Sequence, residues 1–124
     1  MKQKPFNSGT FTHSQFFNWL RVVLRRASLR WRPRREALVK ARRQRSDTPR
    51  KAFEYKCSFC QQWFREKEVE ADHIIPVGSL TSFDDLPGFV ARLFVEADGY
   101  QCVCKKCHKG KTHAKNNSGM EPRR

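Results

Sequence analysis

The sequence predicts an α+β protein in which basic α-helices precede a small domain of short strands and helices. Three observations lead there. At 124 residues, with 38% hydrophobic and 31% charged side chains, the chain suits one small core with appendages and not two full cores. The net charge of +14 is lopsided: residues 1–52 hold 15 Lys/Arg against 2 Asp/Glu, while residues 53–124 hold 11 against 10. Finally, the cysteines at 57, 60, 104 and 107 form two C-x-x-C pairs, both in the nearly neutral half.

Residues 1–11 read as a flexible lead and residues 12–52 as a basic helical region. In "THSQFFNWLRVVLRRASLRW", Thr12 and Gln15 fit a capping box, with Ser14 as a rival cap. Phe16, Leu20, Val23, Leu24, Ala27 and Trp31 recur at helical spacing as one apolar stripe, with Trp19 within or near it. Pro33 ends this helix or opens the next. "RREALVKARRQR" predicts a second helix with Leu38 and Ala41 inward, and "SDTPRK" over 46–51 a hinge.

Beyond the hinge, residues 53–116 read as the second domain. "FEYKCSFCQQWF" predicts a hairpin around two cysteines, and "EVEADHIIP" a strand ended by Pro76. "DLPGFVARLFVEADG" predicts a helix capped by Asp84 or Asp85, with Pro87 in its first turn and Gly99 as the left-handed residue after it. "YQCVC" is a second strand, "KKCHKGKTHAKN" a last helix, and residues 117–124 a disordered tail.

The basic half is the electrostatic footprint of a polyanion binder, and its apolar periodicity sets it apart from a mere solubility tail. Nucleic acid is the expected polyanion, against a membrane surface or an acidic protein, with Arg21, Arg25, Arg26, Arg30, Arg34, Arg35, Arg42 and Arg43 as its expected contacts and Lys111 as a further phosphate contact. No apolar run approaches the roughly 18 residues of a membrane span. The opening "MKQKPFNSGTF" has no signal-peptide character, so an intracellular setting is expected.

Five cysteines, an odd number, without a secretory signal argue against a disulfide framework. Cys57-x-x-Cys60 and Cys104-x-x-Cys107, separated by 43 residues, supply four thiolates suited to one closed, structural Zn²⁺. Such an ion would help a small core to fold. Cys102 could stand in for Cys104, but its expected role is that of a small buried residue. Asp72, His73 and His108 remain. If the ion ties the last helix to the hairpin, His108 approaches the end of the Asp72 strand. A carboxylate oxygen and an imidazole nitrogen then make an under-filled divalent site with room for phosphate oxygens, suited to phosphodiester hydrolysis. Adjacent strand residues face opposite ways, so Asp72 and His73 share one site only if the strand twists or ends there.

The pattern C-x-x-C … EADHIIP … C-x-x-C-H-x-x-K-T resembles the HNH endonuclease family, and the likeness to small free-standing bacteriophage members covers roughly residues 14–115. The resemblance implies a treble-clef-like ββα-metal fold and a metal-dependent DNA endonuclease. It implies His73 as general base, and Asp72 and His108 as ligands of a catalytic Mg²⁺, Mn²⁺, Ni²⁺ or Zn²⁺. Cys57, Cys60, Cys104 and Cys107 match the family's zinc knuckles. The chain departs from the pattern at Gly99, where many members carry an Asn that braces the loop bearing the base; Glu70, Asp98 or a backbone carbonyl is left for that task. Double-stranded DNA is the implied partner, with phage terminase another, in the host-cell cytoplasm. Genome packaging, homing and host DNA degradation all stay open, as do monomer and homodimer. The alternative is a zinc-knuckle nucleic-acid-binding module with weak or no turnover.

Overall fold

A computed structural model describes residues 3–47 and 52–110. It is a small α+β structure with two antiparallel sheets. The chain divides into two compact units, one formed by residues 1–31 with 77–95 and the other by residues 32–76 with 96–124. Among the described residues, no helix is long and apolar enough to cross a membrane.

The first unit is built on α1 (His13–Ser28) and α3 (Leu86–Leu93). The capping box forms as expected: Gln15 N donates to Thr12 Oγ1 at 3.2 Å and Thr12 N to Gln15 Oε1 at 2.9 Å, satisfying two otherwise orphaned donors. The helix stops at Ser28, short of the expected Trp31, so Arg30 lies beyond it in a turn. Its inward stripe matches the expected one only in part. Phe17 is buried with Val77, Leu80, Phe89 and Leu93, while Phe16, Leu20 and Leu24 pack at the edge. Val23, Ala27 and Trp19 are exposed, Trp19 by 50%. The helix is apolar on more than one side, and Leu20 and Leu24 fit either stripe; Phe17, three residues before Leu20, completes the one that packs.

Residues 6–11, expected as part of a flexible lead, close a turn in which Phe11 N donates to Phe6 O at 3.0 Å. The Phe6 ring stacks on Phe16 at 4.4 Å. Gly9 has a φ of +81°, which favours glycine. Helix α3 ends at Leu93 because Phe94 leaves helical geometry at φ −102° and ψ 69°. Gly99 therefore does not cap it but belongs to a 3₁₀ turn over Ala97–Gly99. Asp85 does not cap it either: its Oδ2 accepts from the amide and the hydroxyl of Thr81, both at 2.9 Å. Trp31 Nε1 donates to Val95 O at 2.6 Å.

The second unit holds α2 (Arg32–Lys40), β1 (Arg42–Gln44), β2 (Phe53–Lys56), β3 (Trp63–Phe64), β4 (Val69–His73) and β5 (Tyr100–Cys104), and is helical again over 105–110. Helices α1 and α2, read from sequence as one basic region, thus fall in different units. Arg42 and Arg43 are in a strand and not in the expected helix. Pairing of Arg42 with Tyr55 and of Gln44 with Phe53 outweighs the helix propensity of "KARRQR", as tertiary context commonly does. Strands β1, β2 and β3 form one sheet, and β4 and β5 the other. In the second sheet the register runs from Val69–Cys104 to His73–Tyr100. Tyr55, Cys57, Val69, Cys102, Val103 and Cys104 form the core, with Leu38 and Ala41 packed on it as expected. Residues 48–51 of the expected hinge lie outside the described residues, as do Lys111, the continuation of the last helix and the 117–124 tail.

Candidate functional site

The turn after β2 carries the first cysteine pair. Cys57 N donates to Gln62 O at 2.9 Å and Gln61 N to Cys57 O at 3.0 Å. Gln61 takes a φ of +64°, uncommon for a residue with a side chain. This closure folds Cys57 and Cys60 inward, and Phe59 N donates to Cys57 Sγ at 3.4 Å. The second pair sits where β5 passes into the 105–110 helix, with Cys107 N donating to Cys104 Sγ at 3.4 Å. Backbone N–H groups thus face one sulfur of each pair.

The ligand atoms of Cys57, Cys60, Cys104 and Cys107 all lie within 4.8 Å of one another, and this set can hold a metal ion. The edge of a tetrahedral thiolate site is about 3.8 Å for metal–sulfur bonds of about 2.3 Å, so the spread suits four ligands of one ion. Burial opposes the Cys57 thiolate, yet backbone groups of Cys60, Cys104 and Phe59 outweigh it and bring its thiol down to about 7. Cys107 is pushed up to about 12 by burial and by the neighbouring sulfurs of Cys104, Cys57 and Cys60. Four clustered sulfurs cannot all carry charge without a cation among them.

Cys102 is not part of the set. It is 3% exposed within the core, and burial, with Cys57 and Cys104 nearby, pushes its thiol up to about 11. Replacing Cys102 by Ala is therefore expected to leave the bound-metal stoichiometry unchanged and to cost only about 1–2 kcal/mol of stability. Elemental analysis and thermal melts check this; loss of the ion from the variant would place Cys102 among the ligands.

Strand β4 displays its side chains alternately. Val69 and Ala71 are buried, while Glu70 and Asp72 share the other face. His108, in the 105–110 helix, reaches both carboxylates. Its Nδ1 stands 3.1 Å from Glu70 Oε2 and its Nε2 3.3 Å from Asp72 Oδ1. Gln101, opposite Asp72 on β5, donates to Asp72 Oδ2 at 3.0 Å. The expected approach of His108 to the Asp72 strand is therefore present.

His73 leaves the opposite face. Its ring lies 4.8 Å from that of Tyr100, its partner across the sheet. The guanidinium of Arg34 sits 5.8 Å from the Tyr100 ring centre. Burial pushes the Tyr100 phenol up, although the adjacent Arg34 acts the other way. Strand β4 ends at His73, and Ile74 N donates to Gly99 O at 3.0 Å. Of the groups expected to orient His73 in place of the missing Asn, Glu70 turns instead to His108. Tyr100 was missed in the sequence; its place opposite His73 follows only from the register of the two strands.

The expected DNA-contacting arginines are scattered. Arg21, Arg25, Arg26 and Arg30 belong to the first unit, and Arg21 Nη2 donates to Asn18 Oδ1 at 3.0 Å. In the second unit Arg35 pairs with Glu66, and Arg43 with Glu54 at 2.7 Å. Arg42 lies 3.8 Å over the Phe53 ring, a geometry that fixes a guanidinium without neutralising it, and Arg43, besides its pairing with Glu54, lies 3.7 Å over Trp63. No protein-family model, curated protein or solved structure matches the chain.

Proposed function

We propose that the protein is a metal-dependent DNA endonuclease of the HNH type, with a ββα-metal fold clamped by one structural Zn²⁺ on Cys57, Cys60, Cys104 and Cys107. The observation that carries this reading is the 3.3 Å separation of Asp72 Oδ1 and His108 Nε2 at the end of a strand whose last residue is His73. Two ligand atoms of one ion, each about 2.1 Å from it, stand about 3.0–3.4 Å apart at angles between square and tetrahedral. The pair fits that spacing. A divalent ion there would offset negative charge developing on the phosphodiester.

His73 takes the proton of the attacking water, a task for which an imidazole is suited near neutral pH. Because Asp72 and His73 leave opposite faces, the phosphate must sit off the end of the strand, where the two faces meet. The Tyr100 ring limits the swing of His73 there. The test is plasmid cleavage in Mg²⁺, Mn²⁺ or Ni²⁺, set against chelator. A zinc-loaded protein that cuts DNA with none of these ions would leave a binding module in place of the enzyme.

The charge of residues 1–52 supports a polyanionic substrate. Converting Arg25, Arg26 and Arg30 together to Ala should reduce the slope of log affinity against log salt concentration by about 2–3, one counterion's worth for each phosphate no longer neutralised. Anisotropy titrations at several salt concentrations measure this. An unchanged slope would assign these arginines, at and just beyond the end of α1, to some other partner.

A further inference from the structure

We propose that Glu70 is a positioning residue that fixes which nitrogen of His108 faces Asp72; the inference rests on the reading of Asp72 and His108 as ligands of one ion. Glu70 and Asp72 lie two residues apart on one face of β4, and His108 spans the gap between them, one ring nitrogen toward each. A neutral imidazole has one N–H and one lone pair, and an ionised carboxylate can only accept. The ring can therefore donate to only one of the two. At the other, a neutral ring leaves a lone pair facing a carboxylate oxygen, a place for either the second proton of an imidazolium, which donates to both carboxylates, or the ion that replaces that proton.

Three features assign the proton to Nδ1 and Glu70. The Nδ1 contact is the shorter, at 3.1 Å against 3.3 Å, as expected where a hydrogen bond is made. Asp72 already has an orienting donor in Gln101, so each proposed ligand is steadied by its own neighbour. Asp72 is also the less exposed of the two carboxylates, 12% against 35%, which leaves Glu70 the more solvated, peripheral partner. A histidine that gives one N–H to a carboxylate presents its other nitrogen as a more basic ligand in a fixed direction. His73, on the far face of the strand, takes no part in this arrangement.

The experiment uses the full chain, with zinc content measured first to verify folding, and Ni²⁺ as the probe. Two-bond ¹H–¹⁵N correlations, recorded without Ni²⁺ at a pH where His108 is neutral, read its tautomer; calorimetry reads Ni²⁺ affinity. Wild type should show the Nδ1–H form. Glu70→Ala should lose that preference and weaken Ni²⁺ binding by about 10–100-fold. Glu70→Gln, which keeps an oxygen acceptor, should retain more of both. A Glu70→Ala protein with wild-type tautomer and affinity overturns the proposal and leaves the endonuclease reading untouched. Loss of all Ni²⁺ binding in Glu70→Ala, with Asp72→Ala unaffected, overturns it by reversing the roles of the two carboxylates. Ni²⁺ binding indifferent to Asp72→Ala, Glu70→Ala and His108→Ala alike removes the ion site itself, and the proposal with it.

Discussion

Serine in place of Cys57 or Cys107 is expected to release the structural ion and unfold the unit formed by residues 32–76 with 96–110. The chain is small, and the ligand cluster is built into this unit's core: Cys57 and Cys104 are core residues, and Cys60 and Cys107 pack against it. A structural Zn²⁺ contributes an apparent ~10–16 kcal/mol in small domains, comparable to or larger than the whole stability of a typical protein at ~5–15 kcal/mol. Removing one thiolate leaves three sulfurs in mutual repulsion around a weakened site. Circular dichroism should lose its cooperative transition, and elemental analysis should fall from one zinc per chain toward none. Chelator should do the same to wild type. A folded wild-type protein that contains no metal would sink the clamp.

The second large effect separates chemistry from binding. His73→Ala should retain zinc, the divalent ion and DNA, and lose cleavage by ~10²–10⁴-fold, the usual worth of a positioned general base. Asp72→Ala and His108→Ala should lose activity by weakening the ion, so part of it should return at high Mn²⁺ or Ni²⁺. Mg²⁺ should serve less well than Mn²⁺ or Ni²⁺, since it prefers oxygen ligands and His108 supplies nitrogen. Cleavage, calorimetry and anisotropy on the same three variants distinguish these outcomes. Cleavage that survives His73→Ala would leave an endonuclease with a different base.

The cysteine spacing was legible because it is short-range: each C-x-x-C folds its own turn, and two such turns in a small chain have few better partners than each other. The strands around Asp72 and Tyr100 were also legible, the first from its alternation of buried Val69 and Ala71 with polar residues and the second from its apolar run, although the first ends at His73 and not at Pro76. The stripe of α1 was not. Phe16 and Phe17 compete for one inward position, and only the packing of Phe89 and Leu93 decides between them. Strand β1 was hidden for a similar reason, because "ARRQR" has no strand pattern of its own and becomes extended by pairing with β2. In the candidate site, the approach of His108 to the Asp72 strand was legible, but the part Glu70 takes, its contact with the same ring, was not. That part depends on the parity of β4 and on how far the His108 ring reaches, neither of which residue spacing contains.

The separation of the two cysteine pairs orders events during synthesis. Cys57 and Cys60 leave the ribosome with 43 residues still to be made before Cys104. At a translation rate of ~5–20 residues per second, that interval lasts roughly 2–9 s. Throughout it the nascent chain offers two thiols and half a coordination sphere. Strand β4 likewise waits for β5, since 26 residues separate His73 from Tyr100. An ion held by all four sulfurs can therefore be bound only after residue 107 has been made, and a chain stopped before residue 104 carries one cysteine pair without the other.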